Sequence, residues 1–162
     1  MKASKFAYTR VLEVDEAIEV LARAGGPAQA LRGRPSFGPM LNLRLARPAQ
    51  VVDVASIPSL RAVSRKAAWV EIGAAVTHAE IEDGVHQPLA GHPMRQVASG
   101  IAHRAIRTRG TVGGSLAHAD PAADWVVIYH PCSLFEWWYF FGDYAPDIFL
   151  RGGIIAASSG LL

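Results

Sequence analysis

The sequence predicts a mixed fold of helices and strands that opens with a βαβ unit, and three observations carry this. An apolar stripe at helical spacing, Val14, Ala17, Ile18, Leu21 and Ala22, follows a short apolar start at Phe6-Ala7-Tyr8. Two short apolar runs, Ala28 to Leu31 and Val51 to Val54, stand on either side of a turn-rich stretch, so strand and helix signals alternate. Farther on, Arg61-Ala62-Val63 and Trp69 to Gly73 flank the basic Ser64-Arg65-Lys66, the pattern of a hairpin. Apolar residues make up 51% of the 162 and charged residues 19%, a composition able to bury a core.

Each element has its own signal. Phe6-Ala7-Tyr8 reads as an edge strand. The helix begins near Val14, with Asp15 and Glu16 in the first turn where the helix dipole favours acids, and Gly25-Gly26 is the expected C-cap. Ala28 to Leu31 and Val51 to Val54 read as short buried strands. Arg32 to Pro39 is a loop by composition, and Met40 to Leu45 a brief apolar turn or short helix that ends before Pro48. Thr77 with Glu80 three residues on is a capping-box signature, opening a helix through Ile81. Met94 to Ala98 reads as another helix, stopped near Gly100.

Several function classes are set aside by composition. A formal charge of +2 gives no case for a nucleic-acid partner. The single cysteine, Cys132, rules out an internal disulfide framework and a cysteine-based metal cluster. The N-terminal residues carry no apolar signal core, so a soluble cytoplasmic protein is expected. The aromatic tail after Trp125 is interrupted by His130, Pro131 and Glu136 and is too broken for a membrane span.

The stretch Arg109-Gly110-Thr111-Val112-Gly113-Gly114-Ser115, continuing to Asp124, carries the chemical signal. Paired glycines between hydroxyl residues read as a tight loop with exposed N–H groups, suited to a phosphate-bearing ligand. Taken in order, Phe6-Ala7-Tyr8, Ser36, Asn42 to Pro48, Ile72-Gly73-Ala74, Thr77-His78-Ala79, Ile106-Arg107, Arg109 to Gly114 and Ala117 to Ala123 resemble the FAD-binding medium subunit of molybdenum hydroxylases. That group includes carbon monoxide dehydrogenase and xanthine dehydrogenase. The resemblance runs from about Lys5 to Asp124.

The resemblance implies an α+β fold, a PCMH-type FAD-binding domain of two small lobes with the cofactor stretched between them. It implies FAD as cofactor, and as partners a molybdenum-cofactor large subunit and a 2Fe–2S small subunit. The chain would then pass electrons between the iron–sulfur partner and an external acceptor, with no side chain acting as a covalent catalyst. The first phosphate loop corresponds to Leu31 through Ser36. Gly33 and Ser36 keep the family pattern, whereas Arg32, Arg34 and Pro35 depart from it, and proline offers no N–H. Thr111, Val112, Gly113, Gly114 and Ser115 form the second loop, which matches better, with Ser115 standing where the family often has asparagine. Asp124 matches an acid on the flavin side and Ile101 an apolar position against the cofactor.

The resemblance also sets domain expectations: a truncated FAD-binding domain over 1–124 with its second lobe incomplete, and an unmatched apolar tail over 125–162 such as a shifted reading frame or truncated gene would produce. The alternative function is then a non-catalytic remnant that binds FAD weakly or not at all and at most docks on partner subunits. Several single residues have competing readings. His118, Asp120 and Asp124 have the types of a metal set, but a loop beside an FAD match accounts for them better. His78 has either a surface or capping role, or a place near the cofactor. His103, Arg104, Arg107 and Arg109 face either solvent, phosphate or a partner. Asp53 reads as a turn acid. Ser36, His78 and Asp124 make no hydrolase triad, because no nucleophile-elbow pattern surrounds any serine.

Overall fold

The computed structural model describes residues 2–65, 70–92, 94–118 and 148–149. The chain divides into two units, 1–59 and 60–162.

In the first unit, β1 (Ala7–Arg10), β2 (Ala28–Leu31) and β3 (Gln50–Asp53) form one parallel sheet in the order β1-β3-β2. The helices α1 (Val14–Ala22) and α2 (Phe37–Asn42) make the crossovers that parallel strands require. β3 is central because it alone is apolar on both faces: Val51 and Val52 are both fully buried. The βαβ expectation therefore holds, and β1 is an edge strand. The expected burial of β2 does not hold. It is the other edge, with Gln29 and Ala30 exposed and only Leu31 buried.

Two further details differ from expectation. α1 ends on Arg23, a right-handed C-cap whose N–H bonds back to Glu19, and neither Gly25 nor Gly26 takes a left-handed conformation. Its stripe is also narrower, for Ile18 is exposed and Ala17 is its buried residue. α2 begins earlier than the composition suggests, taking in Gly38 and Pro39. Proline is tolerated in a first turn, where its missing N–H would have had no helical partner.

The second unit carries the antiparallel pair β4 (Val63–Arg65) and β5 (Val70–Ile72), with Val63 opposite Ile72 and Arg65 opposite Val70. The predicted hairpin is present, although Ser64 and Arg65 lie in β4 rather than in the loop; Lys66 and Trp69 lie outside the described residues. A short strand β6 (Ile148–Phe149) runs parallel to β5. Helices α3 (His78–Asp83), α4 (Met94–Gly100), α5 (Arg104–Arg107) and α6 (Val112–His118) follow the hairpin. The core is built from Val70, Ile72, Val76, Ile81, Leu89, Met94, Ala98 and Val112. Among the described residues no helix is long and apolar enough to cross a membrane.

The capping box is present in full. The Thr77 N–H donates to the Glu80 carboxylate at 2.7 Å, and the Glu80 N–H donates to Thr77 Oγ1 at 3.2 Å. Burial alone would raise the Glu80 pKa, but the Thr77 hydrogen bonds and Arg61, 3.2 Å away, hold it below the usual carboxylate range. Thr77→Ala should cost about 1–2 kcal/mol of stability, and Thr77→Ser much less. Urea unfolding followed by far-UV circular dichroism checks this.

Candidate cofactor site

The register of the first sheet aligns the carboxyl ends of its strands. Arg10 of β1 and Leu31 of β2 both pair with Asp53 of β3. Open parallel sheets bind ligands outside this edge. The segment Arg32 to Ser36 leaves from it. Gly33 has φ 94° and Arg34 φ 78°, so two successive residues are left-handed. Glycine adopts this freely, whereas arginine there is uncommon. Among the described residues, the N–H groups of Gly33, Arg34 and Ser36 take no acceptor, and the Ser36 hydroxyl does not cap α2. Pro35 interrupts the row but does not close it.

Asp53 supports this edge. It is 5% exposed, accepts a hydrogen bond from the Tyr8 hydroxyl and a second from the Ala55 N–H at 2.9 Å. The turn role read from the sequence is therefore present, together with a cross-strand tie from β1. Burial works to raise the Asp53 pKa, but Tyr8, the Ala55 N–H and the charges of Arg10 and Arg34 together lower it, so it stays ionised beside the Arg32 to Ser36 segment.

The second segment is built differently. It was expected to be a loop with exposed N–H groups, but from Val112 onward it is the helix α6, and its donors are engaged within the chain. The Val112 N–H bonds Val76 O at 3.0 Å, Gly113 bonds Ala74 O at 2.9 Å, Ser115 bonds Thr111 O at 3.0 Å, and Gly114 bonds Thr111 Oγ1 at 3.1 Å. Thr111 itself is 2% exposed and sits in an antiparallel bridge with Thr77. Gly113 is required by packing: a Cβ there would lie 2.6 Å from Ala74 Cβ and 2.8 Å from its carbonyl oxygen. The outward features of this segment are the exposed Gly114 and the half-buried Ser115.

His78 anchors Ser115. Its Nε2 lies 3.0 Å from Ser115 Oγ, and it is 1% exposed. The surface role weighed for His78 is thus excluded, because pairing of residues 76–78 with 110–112 carries the ring inside. Burial, aided by the charge of Arg107, pushes its pKa down to about 4, so it is neutral at pH 7. Ile101 is partly buried against the core, and its carbonyl accepts from Arg107 at 3.0 Å. Arg104 and Arg107 pair with Glu82, and Arg104 also with Asp83. Arg107 is therefore no solvated face. Sequence reading missed Glu82, because its partners lie 22 and 25 residues away with no local pattern to flag them. Asp124, with Asp120 and Cys132, lies outside the described residues.

Comparison with known proteins decides what this frame belongs to. Residues 4–130 match the family described as the FAD binding domain in molybdopterin dehydrogenase. The chain belongs to this family. The FAD domain is 38% identical over 130 residues to the 6-hydroxypseudooxynicotine dehydrogenase complex subunit alpha of Paenarthrobacter nicotinovorans, covering 79% of the chain and 43% of that protein. It is 35% identical to the carbon monoxide dehydrogenase medium chain of Hydrogenophaga pseudoflava, over 74% of the chain and 42% of that protein. It superposes on the solved carbon monoxide dehydrogenase of Hydrogenophaga pseudoflava with a TM-score of 0.73 at 33% identity, over 79% of the chain and 45% of that chain. For quinoline 2-oxidoreductase from Pseudomonas putida 86 the TM-score is 0.69 at 37% identity, over 74% and 42%. The chain thus spans less than half the length of these relatives.

FAD is the cofactor of this family, and the residues present fit it unevenly. The Gly33 to Ser36 loop leaves N–H donors open, as a phosphate cradle does. The Thr111 to Ser115 segment leaves mainly a close-approach surface and one anchored hydroxyl.

The His78 shift has a pH signature. The unfolded chain gains this proton near 6.5 and the folded chain only near 4, so the unfolded state binds more protons between them. Stability is full above this window and falls as pH drops through it, by about 2 kcal/mol between pH 7 and pH 5. Urea unfolding at both pH values should show the loss, and His78→Gln should abolish most of the difference.

Proposed function

We propose that the FAD domain is the flavin-binding part of an electron-transfer subunit in a molybdenum-containing hydroxylase or dehydrogenase. The observation that carries the reading is the open row of N–H donors at Gly33, Arg34 and Ser36, on the carboxyl edge of a parallel sheet within a family match over residues 4–130. In this reading these donors take phosphate oxygens of FAD, and the charges of Arg32 and Arg34 assist. In the second unit, taken by itself, the resemblance offers Ile101, Thr111 to Ser115 and Asp124 as further cofactor contacts. Bound FAD supplies the redox chemistry between a 2Fe–2S partner and an external acceptor. The partners proposed are that small subunit and a molybdenum-cofactor large subunit, and the setting proposed is the cytoplasm.

The residues' own work is to bind and orient. Asp53, held by Tyr8 and the Ala55 N–H, fixes the sheet edge from which the loop leaves. Neutral His78 holds the Ser115 hydroxyl at a fixed place.

The test is flavin binding. The purified chain should take up FAD stoichiometrically and show a bound-flavin visible spectrum. Gly33→Val, a branched residue at φ 94°, should weaken binding at least about tenfold while the far-UV circular dichroism of the FAD-free chain stays as in wild type. A chain that stays colourless and ignores added FAD contradicts the reading and favours the non-catalytic remnant.

A further inference from the structure

We propose that Arg107 is a positioning residue that clamps the Ile101-Ala102 turn and so sets the apolar surface offered to FAD. The inference rests on the reading that Ile101 lies against the cofactor. One guanidinium makes four hydrogen bonds in two directions. Its Nε and Nη2 form a fork on the Glu82 carboxylate at 2.8 and 3.0 Å. Its Nη1 donates to two successive carbonyls, Ile101 O at 3.0 Å and Ala102 O at 2.7 Å. The side chain is 11% exposed, so the bonds to Glu82 and to Ile101 O are partly shielded from water.

The turn needs such a clamp. Ala102 has φ 43°, in the left-handed region that alanine rarely adopts, and it is exposed, so no packing of its own side chain holds it there. On the amino side, the Ile101 N–H bonds Ala98 O at 3.2 Å. On the carboxyl side, both carbonyls are held by Arg107. Glu82 is in turn shared with Arg104, so the fork is fixed to α3 and α5 together. Lysine could pair with Glu82 but lacks the planar fork needed to hold a carboxylate and two carbonyls at once. An arginine that only neutralised Glu82 would not have to reach the turn.

The experiment uses the purified chain and FAD itself. Wild type, Arg107→Lys, Glu82→Gln and Arg107→Lys with Ala102→Gly are compared by FAD affinity, visible circular dichroism of bound flavin, and amide exchange at residues 101–103. Unfolding of the FAD-free chain controls for loss of fold. Arg107→Lys should bind FAD about tenfold more weakly, change the flavin dichroism and speed exchange at residues 101–103. Glu82→Gln should do the same to a smaller degree. Adding Ala102→Gly should restore part of the affinity, because glycine takes φ 43° without the clamp. If Arg107→Lys speeds exchange but leaves affinity and dichroism as in wild type, the clamp is merely structural and the proposal is overturned. If wild type itself binds no FAD, the cofactor reading fails first and this proposal with it.

Discussion

The second unit depends on one run of main-chain pairing, between residues 74–78 and 110–113. Three hydrogen bonds make it: Val112 N–H to Val76 O, His78 N–H to Gly110 O, and Gly113 N–H to Ala74 O. From this run follow the burial of His78, the need for glycine at 113, and the enclosure of Thr111. It also joins the β4–β5 hairpin to α6 through Val76 and Val112, both core residues. The capping box at Thr77 starts α3 in the middle of the same run, so a local cap and a long-range pairing reinforce each other.

The first unit answers to a different constraint. Its parallel sheet has one strand apolar enough to be central, and the register sets Arg10, Leu31 and Asp53 at one edge. Among the described residues, the N–H groups of Gly33, Arg34 and Ser36 in the loop that leaves this edge take no acceptor. The two segments expected to serve the cofactor are thus unlike in kind. In the first, those N–H groups take no acceptor among the described residues, and in the second the donors of Val112 to Ser115 are engaged within the chain.

This contrast also explains what could be read without the structure. The elements with local causes were legible: the helix from Val14, the central strand at Val51-Val52, and the Thr77–Glu80 cap. The pattern Gly-Gly between hydroxyls was legible as a special site, but its physical basis was not. Nothing local distinguishes a glycine needed for a ligand from one needed for Ala74. Likewise Arg32, Arg34 and Pro35 depart from the pattern that the resemblance implies, and the left-handed geometry of Gly33 and Arg34 is not written in residue type. His78, Glu82 and Arg107 gained their meaning only from partners 37 and 25 residues away.

In the proposed function the phosphates of FAD are taken by the N–H donors of Gly33, Arg34 and Ser36 and not by the engaged donors of α6. Amide hydrogen exchange with and without FAD, resolved to single residues, tests it most directly. The account predicts that FAD slows exchange at Gly33, Arg34 and Ser36, while Val112 to Ser115, already bonded within the chain, change little. Strong FAD-dependent protection at Val112 to Ser115 with none at Gly33 to Ser36 would contradict it.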